Sequence, residues 1–331
     1  MADNTDIKWT DSSWNPIVGC SIVSPGCTNC YAMKMARRLA IICRNTSIDD
    51  NGYAVRGTHP LDHYLCTTKR VNGNTVWTGK VALAPDNILT APLRWKKPRK
   101  IFVNSMGDLF HESIPDEWID KVFAVMALCP QHTFQVLTKR SGKMLEYCGD
   151  LEKSYNISNA ILDLLIDRKI DGKMTDENYP LAEGHADDEP ELKNWPLPNV
   201  WLGVSAEDQT RADERIPDLL ATPAAVRFVS AEPLLSAVDF TSIKVGGADS
   251  LYRANALTGD GFDGQRLSWV IAGGESGPGA RVWPGFEDAC HSIRDQCRAA
   301  GVTFFMKQMA GTVKSKMPPI PGNLMIREFP K

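Results

Sequence analysis

Three cysteines, Cys20, Cys27 and Cys30, stand close together near the start of the chain. Three thiolates can hold an iron-sulfur cluster while leaving one iron uncovered for chemistry, whereas a closed structural site usually has four protein ligands. The next cysteine, Cys43, follows a stretch of helix-forming composition, so it reaches the others only if the fold bends it back. We therefore predict an open three-thiolate cluster. A four-ligand zinc or structural cluster site and unligated thiols remain as alternatives.

The bulk composition limits the class of protein that can position such a site. The chain has 331 residues and a formal net charge of -3, so it can build one large core and carries no global positive charge for nucleic acid. Nine cysteines without a signal-peptide pattern favour reduced thiols over a disulfide framework. The sequence has no apolar run long enough to cross a membrane, and we expect a cytoplasmic protein without membrane contact.

Short apolar runs rich in Val, Ile, Phe and Trp recur along the chain, and stretches of helix-forming composition follow them. This alternation is typical of βα units, and continuous apolar runs indicate parallel strands buried on both faces. We predict an α/β fold, a full or partial (β/α) barrel of about six or seven parallel strands, as a single domain over residues 1–331. Six runs lie in residues 100–108, 134–140, 200–208, 226–233, 269–276 and 303–308, and a seventh strand is predicted in residues 15–19.

Two segments interrupt this rhythm. Residues 145–198 are polar and include an acidic part, and we predict that they form an insertion that is partly helical and mobile. Residues 244–266 are rich in Gly and Asp, which predicts an extended loop insertion.

Polar residues follow the predicted strands at the point where each strand ends. The carboxyl ends of parallel strands meet at one rim, where the active sites of barrels and open α/β sheets lie. We therefore predict the active site at this rim. Its residues are Asn104, Ser105, Asp108, Lys139, Arg140, Ser205, Glu207, Ser230, Glu232, Glu275, Ser276, Lys307 and Gln308.

Two glutamates of this rim are the best acidic candidates for catalysis. Glu232 and Glu275 each end an apolar strand, where burying a carboxylate without a partner or a role is costly. A structural ion pair with Arg227, Arg281 or Lys307 is the alternative for both.

Asp108 and His111 come just past another strand, and the histidine suits an acid, a base or a substrate contact. A side chain satisfied at a helix start is the alternative. The basic segment 94–100 includes an aromatic residue, a composition that suits phosphates and stacked bases if the segment borders the barrel mouth. Its other interpretation is a solvated lead into the next strand.

A set of short motifs spread over nearly the whole chain carries a more specific resemblance. The chain resembles a family of phage and prophage proteins known as a domain of unknown function, which is itself similar to radical S-adenosylmethionine enzymes such as spore photoproduct lyase-like proteins. The motifs are Trp9-Thr10-Asp11, Trp14-Asn15-Pro16, Gly19-Cys20, Gly26-Cys27, Cys30-Tyr31-Ala32, Asp108-Leu109-Phe110-His111, Leu137-Thr138-Lys139-Arg140, Ala231-Glu232-Pro233-Leu234-Leu235, Gly273-Gly274-Glu275-Ser276-Gly277 and Lys307-Gln308.

The resemblance implies a [4Fe-4S] cluster held by Cys20, Cys27 and Cys30, with S-adenosylmethionine on the remaining iron. One electron from a donor such as flavodoxin or ferredoxin would yield a 5′-deoxyadenosyl radical that abstracts hydrogen from an unreactive carbon. Because the relatives are phage and prophage proteins, the resemblance also implies a nucleobase or nucleic acid as a candidate substrate. Cofactor contacts are expected from the rim, with Lys139 or Arg140 on the carboxylate and Ser205 and Glu207 on the ribose or sulfonium, and the full set is Tyr31, Ser105, Lys139, Arg140, Ser205 and Glu207.

Two interpretations of other classes remain open. One is a noncatalytic nucleic-acid or partner-binding protein whose metal only staples the N-terminal part. The other is a metal-dependent hydrolase that uses Asp108, Glu232 and Glu275 around a divalent cation.

Overall fold

The computed structural model describes residues 5–46, 59–168, 179–182, 191–246, 250–313 and 316–331. The α-helices in these ranges are α1 (Tyr31–Thr46), α2 (Asp86–Leu89), α3 (Asp116–Ala127), α4 (Ser141–Gly149), α5 (Lys153–Arg168), α6 (Gln209–Ala221) and α7 (Phe286–Ala300). The strands are β1 (Ser12–Trp14), β2 (Ile17–Val18), β3 (Thr68–Val71), β4 (Asn74–Trp77), β5 (Ala82–Leu83), β6 (Lys100–Val103), β7 (Thr133–Thr138), β8 (Val200–Ser205), β9 (Val226–Ala231), β10 (Ile243–Lys244), β11 (Arg253–Ala254), β12 (Trp269–Gly273) and β13 (Thr303–Gln308).

One seven-stranded parallel sheet dominates the fold, in the order β1-β6-β7-β8-β9-β12-β13. Its neighbours follow one another along the chain, so the winding never reverses as it does at the switch point of a doubly wound sheet. The sheet curls into a partial barrel, and its strands from β6 onward coincide with the six predicted apolar runs.

Side chains alternate between the two faces of this sheet. Outward residues such as Ile101, Val103 and Val270 pack in the main core under the helices, because α3, α4, α6 and α7 cross over between successive strands on the outside. An aromatic cluster covers part of the inward face, and its rings, 4.7 to 6.3 Å apart, pack edge to face or tilted. We call this cluster the aromatic floor, and it consists of Trp9, Phe102, Phe228, Trp269 and Phe305.

The seventh strand differs from the prediction. The strand that joins the sheet is β1, whereas Ile17 and Val18 form β2, which pairs antiparallel with β5. Pro16 has no N–H to donate to a ladder, and the Ile17 amide bonds to the Asn104 side chain instead. The chain therefore leaves the sheet after Trp14, before the predicted strand begins.

The predicted insertions contain regular structure. Residue 145 lies inside α4, and α5 follows it and packs on α3. Residues 169–178 and 183–190, which include most of the acidic part, lie outside the described residues. In the second segment β10 and β11 form a short antiparallel pair, and residues 247–249 lie outside the described ones.

Among the residues that the structure describes, every helix is too short or too polar to span a bilayer.

Candidate functional site

A cavity of about 280 Å³ opens at the carboxyl ends of the parallel strands, where the sequence predicts the active site. Trp9 and Phe102 of the aromatic floor close its bottom, and the loop that carries the three cysteines, residues 19–30, closes one side. We call this segment the cysteine loop. The predicted site residues that line the cavity are Cys20, Cys27, Cys30, Tyr31, Asn104, Ser105, Asp108, Lys139, Arg140, Ser205, Ser230, Glu232, Glu275, Ser276, Lys307 and Gln308.

Local sequence explains how the cysteine loop is shaped. Gly19 has a φ of +96°, and an added Cβ would lie 2.1 Å from the Lys80 carbonyl oxygen, so no other residue fits there. Pro25 begins a 3-10 turn that ends at Cys27. Helix α1 begins directly after Cys30, and the amides of its first turn bond to the Cys30 sulfur. Cys30 therefore sits at the positive end of a helix, a position that favours a thiolate.

Arg140, which follows β7, holds the first part of the cysteine loop. Its Nη1 donates to Cys20 Sγ at 3.4 Å and to Asp108 Oδ2 at 3.0 Å. Its Nη2 donates to the carbonyl and the hydroxyl of Ser21, and its Nε donates to Glu112. These contacts use all five donors of the guanidinium. Arg140 is therefore committed to the protein, in contrast to the cofactor contact predicted for it.

Asp108 holds Arg140 in place through the bond to its Nη1. Its Oδ2 also accepts from the Lys139 amide at 3.0 Å, and its Oδ1 accepts from the Thr138 hydroxyl at 2.6 Å and the Phe110 amide at 3.1 Å. Only 5% of the residue is exposed. A carboxylate with this many donors orients its neighbours and has little capacity left to act as a base or a metal ligand.

Glu207, which follows β8, holds the middle of the cysteine loop. Its side chain is fully buried, and its Oε1 accepts from the Gly26 amide at 3.2 Å. Its Oε2 lies 3.0 Å from Arg215 Nη1 and 3.6 Å from Lys139 Nζ. Burial alone would raise the pKa of Glu207, but Lys139 and Arg215 outweigh it and lower the pKa to about 2. Glu207 does not line the cavity, in contrast to the predicted cofactor contact.

Glu275, which follows β12, holds the last part of the cysteine loop. Its Oε2 accepts from Asn29 Nδ2 at 3.1 Å, and Arg281 forms a two-pronged ion pair with both of its oxygens. Burial raises the pKa of Glu275, but the Arg281 bonds outweigh that effect and lower it. The structural alternative, an ion pair with Arg281, is therefore present, and Glu275 is not a free acid.

These three contacts share a pattern that connects the barrel rim to the cysteines. Arg140 bonds to Ser21, Glu207 bonds to Gly26 and Glu275 bonds to Asn29. Each contacted residue is the direct neighbour of one of the three cysteines in the chain. We call these contacts the three rim clamps. Each is charge-assisted, and such a bond contributes roughly 1.5–3 kcal/mol.

Two of the three thiols, those of Cys20 and Cys30, are neutral in this environment. Burial and the nearby Asp108 carboxylate raise the pKa of Cys20 to about 12, and burial raises the pKa of Cys30. Within the described residues, no three Cys, His, Asp or Glu side chains converge on one point as ligands of a single metal ion do. A cubic cluster differs in this respect, because its thiolate ligands bind different irons. The donor set of three thiols around one cavity fits such a cluster.

His111 lies behind the cysteine loop and not in the cavity. Its Nδ1 accepts from the Ser113 amide at 3.1 Å, so the neutral ring carries its proton on Nε2, 3.0 Å from the Ser21 hydroxyl. Burial and Arg140 lower the pKa of His111. His111 thus supports the first rim clamp from outside the cavity, and its catalytic role stays a prediction.

Several polar groups of the cavity wall remain open to a ligand. Lys307 Nζ lies 3.0 Å from Glu232 Oε1, an ion pair without hydrogen-bond geometry. Asn104 has a φ of +59° and is 3% exposed, and its Nδ2 has no hydrogen-bond partner among the described residues. A buried donor without a partner is costly, and a bound ligand would satisfy it. Lys139 and Ser205 face the same space.

Tyr31 and Ser105 also lie together at the wall, where the Tyr31 hydroxyl donates to the Ser105 carbonyl at 3.1 Å. Cys43 does not return to the site, because it lies on the buried side of α1, where its Sγ donates to Asp62. Sequence reasoning missed Ser21 and Asn29. Their positions beside cysteines were the only available signal.

Comparison with known proteins gives a family but no activity. No curated protein and no solved structure matches the chain. Residues 4–325 match a family described as "Protein of unknown function (DUF5131)". Because this match covers nearly the whole sequence, the chain belongs to that family.

Proposed function

We propose that the protein is a radical S-adenosylmethionine enzyme that holds a [4Fe-4S] cluster through Cys20, Cys27 and Cys30. The observation that carries the proposal is that these three thiols line one cavity at the carboxyl ends of the strands, on a loop fixed at each cysteine by a rim clamp. No other cysteine or histidine lines this cavity within the described residues. A cluster held there would keep one iron for a cofactor.

The cluster and S-adenosylmethionine, when bound, supply a 5′-deoxyadenosyl radical for hydrogen abstraction, with one electron taken from a flavodoxin-like or ferredoxin-like donor. The residues of this chain position that chemistry. The Arg140 N–H on Cys20 Sγ stabilises negative charge on the sulfur. The aromatic floor keeps water from the bottom of the cavity.

The wall residues divide the work of holding the cofactor. Arg140 and Glu207 are held by protein contacts, and Lys139, which lies 3.6 Å from Glu207 and lines the cavity, is the rim cation that we assign to the cofactor carboxylate. Ser205 is the candidate for the ribose, and the unpartnered Asn104 Nδ2 offers one more donor. Glu232, beside Lys307, is the remaining candidate for contact with the substrate.

Anaerobic reconstitution with iron and sulfide tests the proposal. The full-length protein should become brown, bind about four irons per chain, and release 5′-deoxyadenosine when a reductant and S-adenosylmethionine are added. Cys27→Ala should lose the iron and the product together. Cys66→Ala is the matched control, because Cys66 is an exposed thiol outside the cavity, and it should retain both.

Two results would contradict the proposal. A colourless protein that takes up zinc in place of iron supports a structural metal site. An iron content that falls equally in Cys27→Ala and Cys66→Ala would show that iron binds thiols without selection.

A further inference from the structure

The chain is acidic overall, but one part of its surface is strongly basic. Helix α1 and the described segment 59–85 contain one carboxylate, Asp62, against seven basic side chains. Six of these are exposed and Arg37 is half-buried. We call this surface the basic face, and it consists of Lys34, Arg37, Arg38, Arg44, Lys69, Arg70 and Lys80.

The basic face is one surface because its two parts pack together. Helix α1 turns Ala32, Met33, Ala36 and Ala40 inward, and these residues pack with Trp77 of the β3–β4 hairpin. The outward side of α1 carries the cations, and the hairpin adds its own. Within the described residues, none of the seven forms an ion pair. In most proteins exposed cations are interspersed with acids, so their accumulation here indicates a negatively charged partner.

The basic face leads into the cavity. Tyr31, the first residue of α1, lines the cavity with 55% of its surface exposed, and Lys34 and Arg38 follow it on the same side of the helix at intervals of three and four residues. Trp77 ends the hairpin at the cavity wall. A chain of phosphates along α1 would therefore bring its bases to the exposed Tyr31 ring and then to the site.

We propose that the basic face binds the phosphate backbone of a single-stranded nucleic acid and delivers an unpaired base to the cavity. This inference rests on the proposed function for the reaction, but the binding itself does not. Unpaired cations near aromatic side chains are the common features of single-strand binding surfaces. A base within a duplex cannot enter a recess in a protein, so the base must be free or flipped out.

The basic segment 94–100 provides a control for the basic face within the same protein. It leads into the amino end of β6, opposite the cavity, and Arg99 stacks over Trp95 there at 4.8 Å. It does not border the barrel mouth, so the condition for its predicted role in phosphate binding is not met. Lys96 and Lys97 of this segment are exposed and have the same charge as the basic face.

Fluorescence anisotropy tests the inference with a labelled oligo-thymidylate of about 20 nucleotides, longer than the site of one binding fold. Full-length protein is used both before and after reconstitution, at salt from about 50 to about 200 mM. The double variant Lys34→Glu with Arg38→Glu should bind at least about tenfold more weakly, and its log–log salt slope should fall by about 1.4 for two lost phosphate contacts. Lys96→Glu with Lys97→Glu makes the same charge change and should bind like the wild type.

The outcomes separate this inference from the proposed function. Failure of both protein forms to bind the oligonucleotide overturns the inference, whether or not the cluster assembles. Binding with no cluster assembly supports the basic face and contradicts the proposed reaction. If the two double variants weaken binding equally, the basic face has no special role and the inference is overturned. Equal binding of the oligonucleotide annealed to its complement also overturns the inference, because it shows no preference for a single strand. Competition by poly-glutamate as strong as that by the oligonucleotide assigns the face to an acidic protein instead.

Discussion

Replacing Glu207 by Gln tests whether the buried rim clamp at Gly26 depends on charge. The substitution keeps the size of the side chain, and its amide oxygen can still accept from the Gly26 amide. The negative charge that faces Arg215 and Lys139 is lost. The side-chain amide of the new Gln then lies about 3.0 Å from Arg215 Nη1. Two cations are left around a neutral group in the interior, which is costly.

The size of the effect follows from the pKa of Glu207. A fall from 4.5 to about 2 means that the folded protein favours the charged form by roughly 3 kcal/mol at neutral pH. Because the folded-state pKa is lowered, this stability is present above pH 4.5 and is lost as the pH falls towards 2. We expect Glu207→Gln to lower the free energy of unfolding by about 3 kcal/mol at pH 7 and by only about 1 kcal/mol at pH 3.

Urea unfolding at the two pH values measures this difference. Glu214→Gln is the control, because Glu214 lies on α6 beside Arg215 but is 61% exposed, and it pairs with Arg211 at 3.5 Å. It should cost less than about 0.5 kcal/mol. A loss below about 1 kcal/mol for Glu207→Gln at pH 7, or an equal loss at both pH values, would refute the argument from a buried charge.

The other rim clamps give two further predictions. Arg140→Lys keeps the positive charge but loses the N–H bond to Cys20. In a redox titration, the reduction potential of the reconstituted cluster should therefore fall by about 40 mV, the equivalent of about 1 kcal/mol. An unchanged potential would contradict this role of Arg140. Asn29→Ala and Glu275→Gln should show a coupling of about 1 kcal/mol in a double-mutant cycle of urea unfolding, and additive losses would mean that their 3.1 Å bond contributes nothing.

The strands were predictable because each is a continuous apolar run. A parallel sheet covered by helices buries both faces of a strand, so its sequence signal is strong and local, as for β12 and β13. The first strand was misplaced because its signal is short. The two residues of β2 are apolar, whereas β1 is Ser-Ser-Trp, so the apolar signal points to β2, and the Asn104 side chain that accepts from the Ile17 amide comes from far along the chain.

The site was predictable in position but not in roles. The parallel winding puts every strand end at one rim, so most of the predicted residues line the cavity. The role of a charged residue depends on its partner, and partners come from distant parts of the chain. Glu207 is neutralised by Lys139 and Arg215, which lie on another strand end and on α6, and nothing in the sequence around Glu207 indicates that pairing.

The same partners bear on the interpretations that the sequence left open. A hydrolase with a divalent cation needs Asp108, Glu232 and Glu275 as ligands, but Arg140 engages the first and Arg281 engages the third. A closed structural site needs a fourth ligand, and Cys43 is bonded to Asp62 on the buried side of α1. Glu232 is then the only one of these carboxylates not bound by an arginine, and it pairs with Lys307 across the cavity wall. Most of the charged side chains at the rim thus hold the cysteine loop in place. This arrangement favours a reactive group bound by the three sulfurs over one bound by carboxylates.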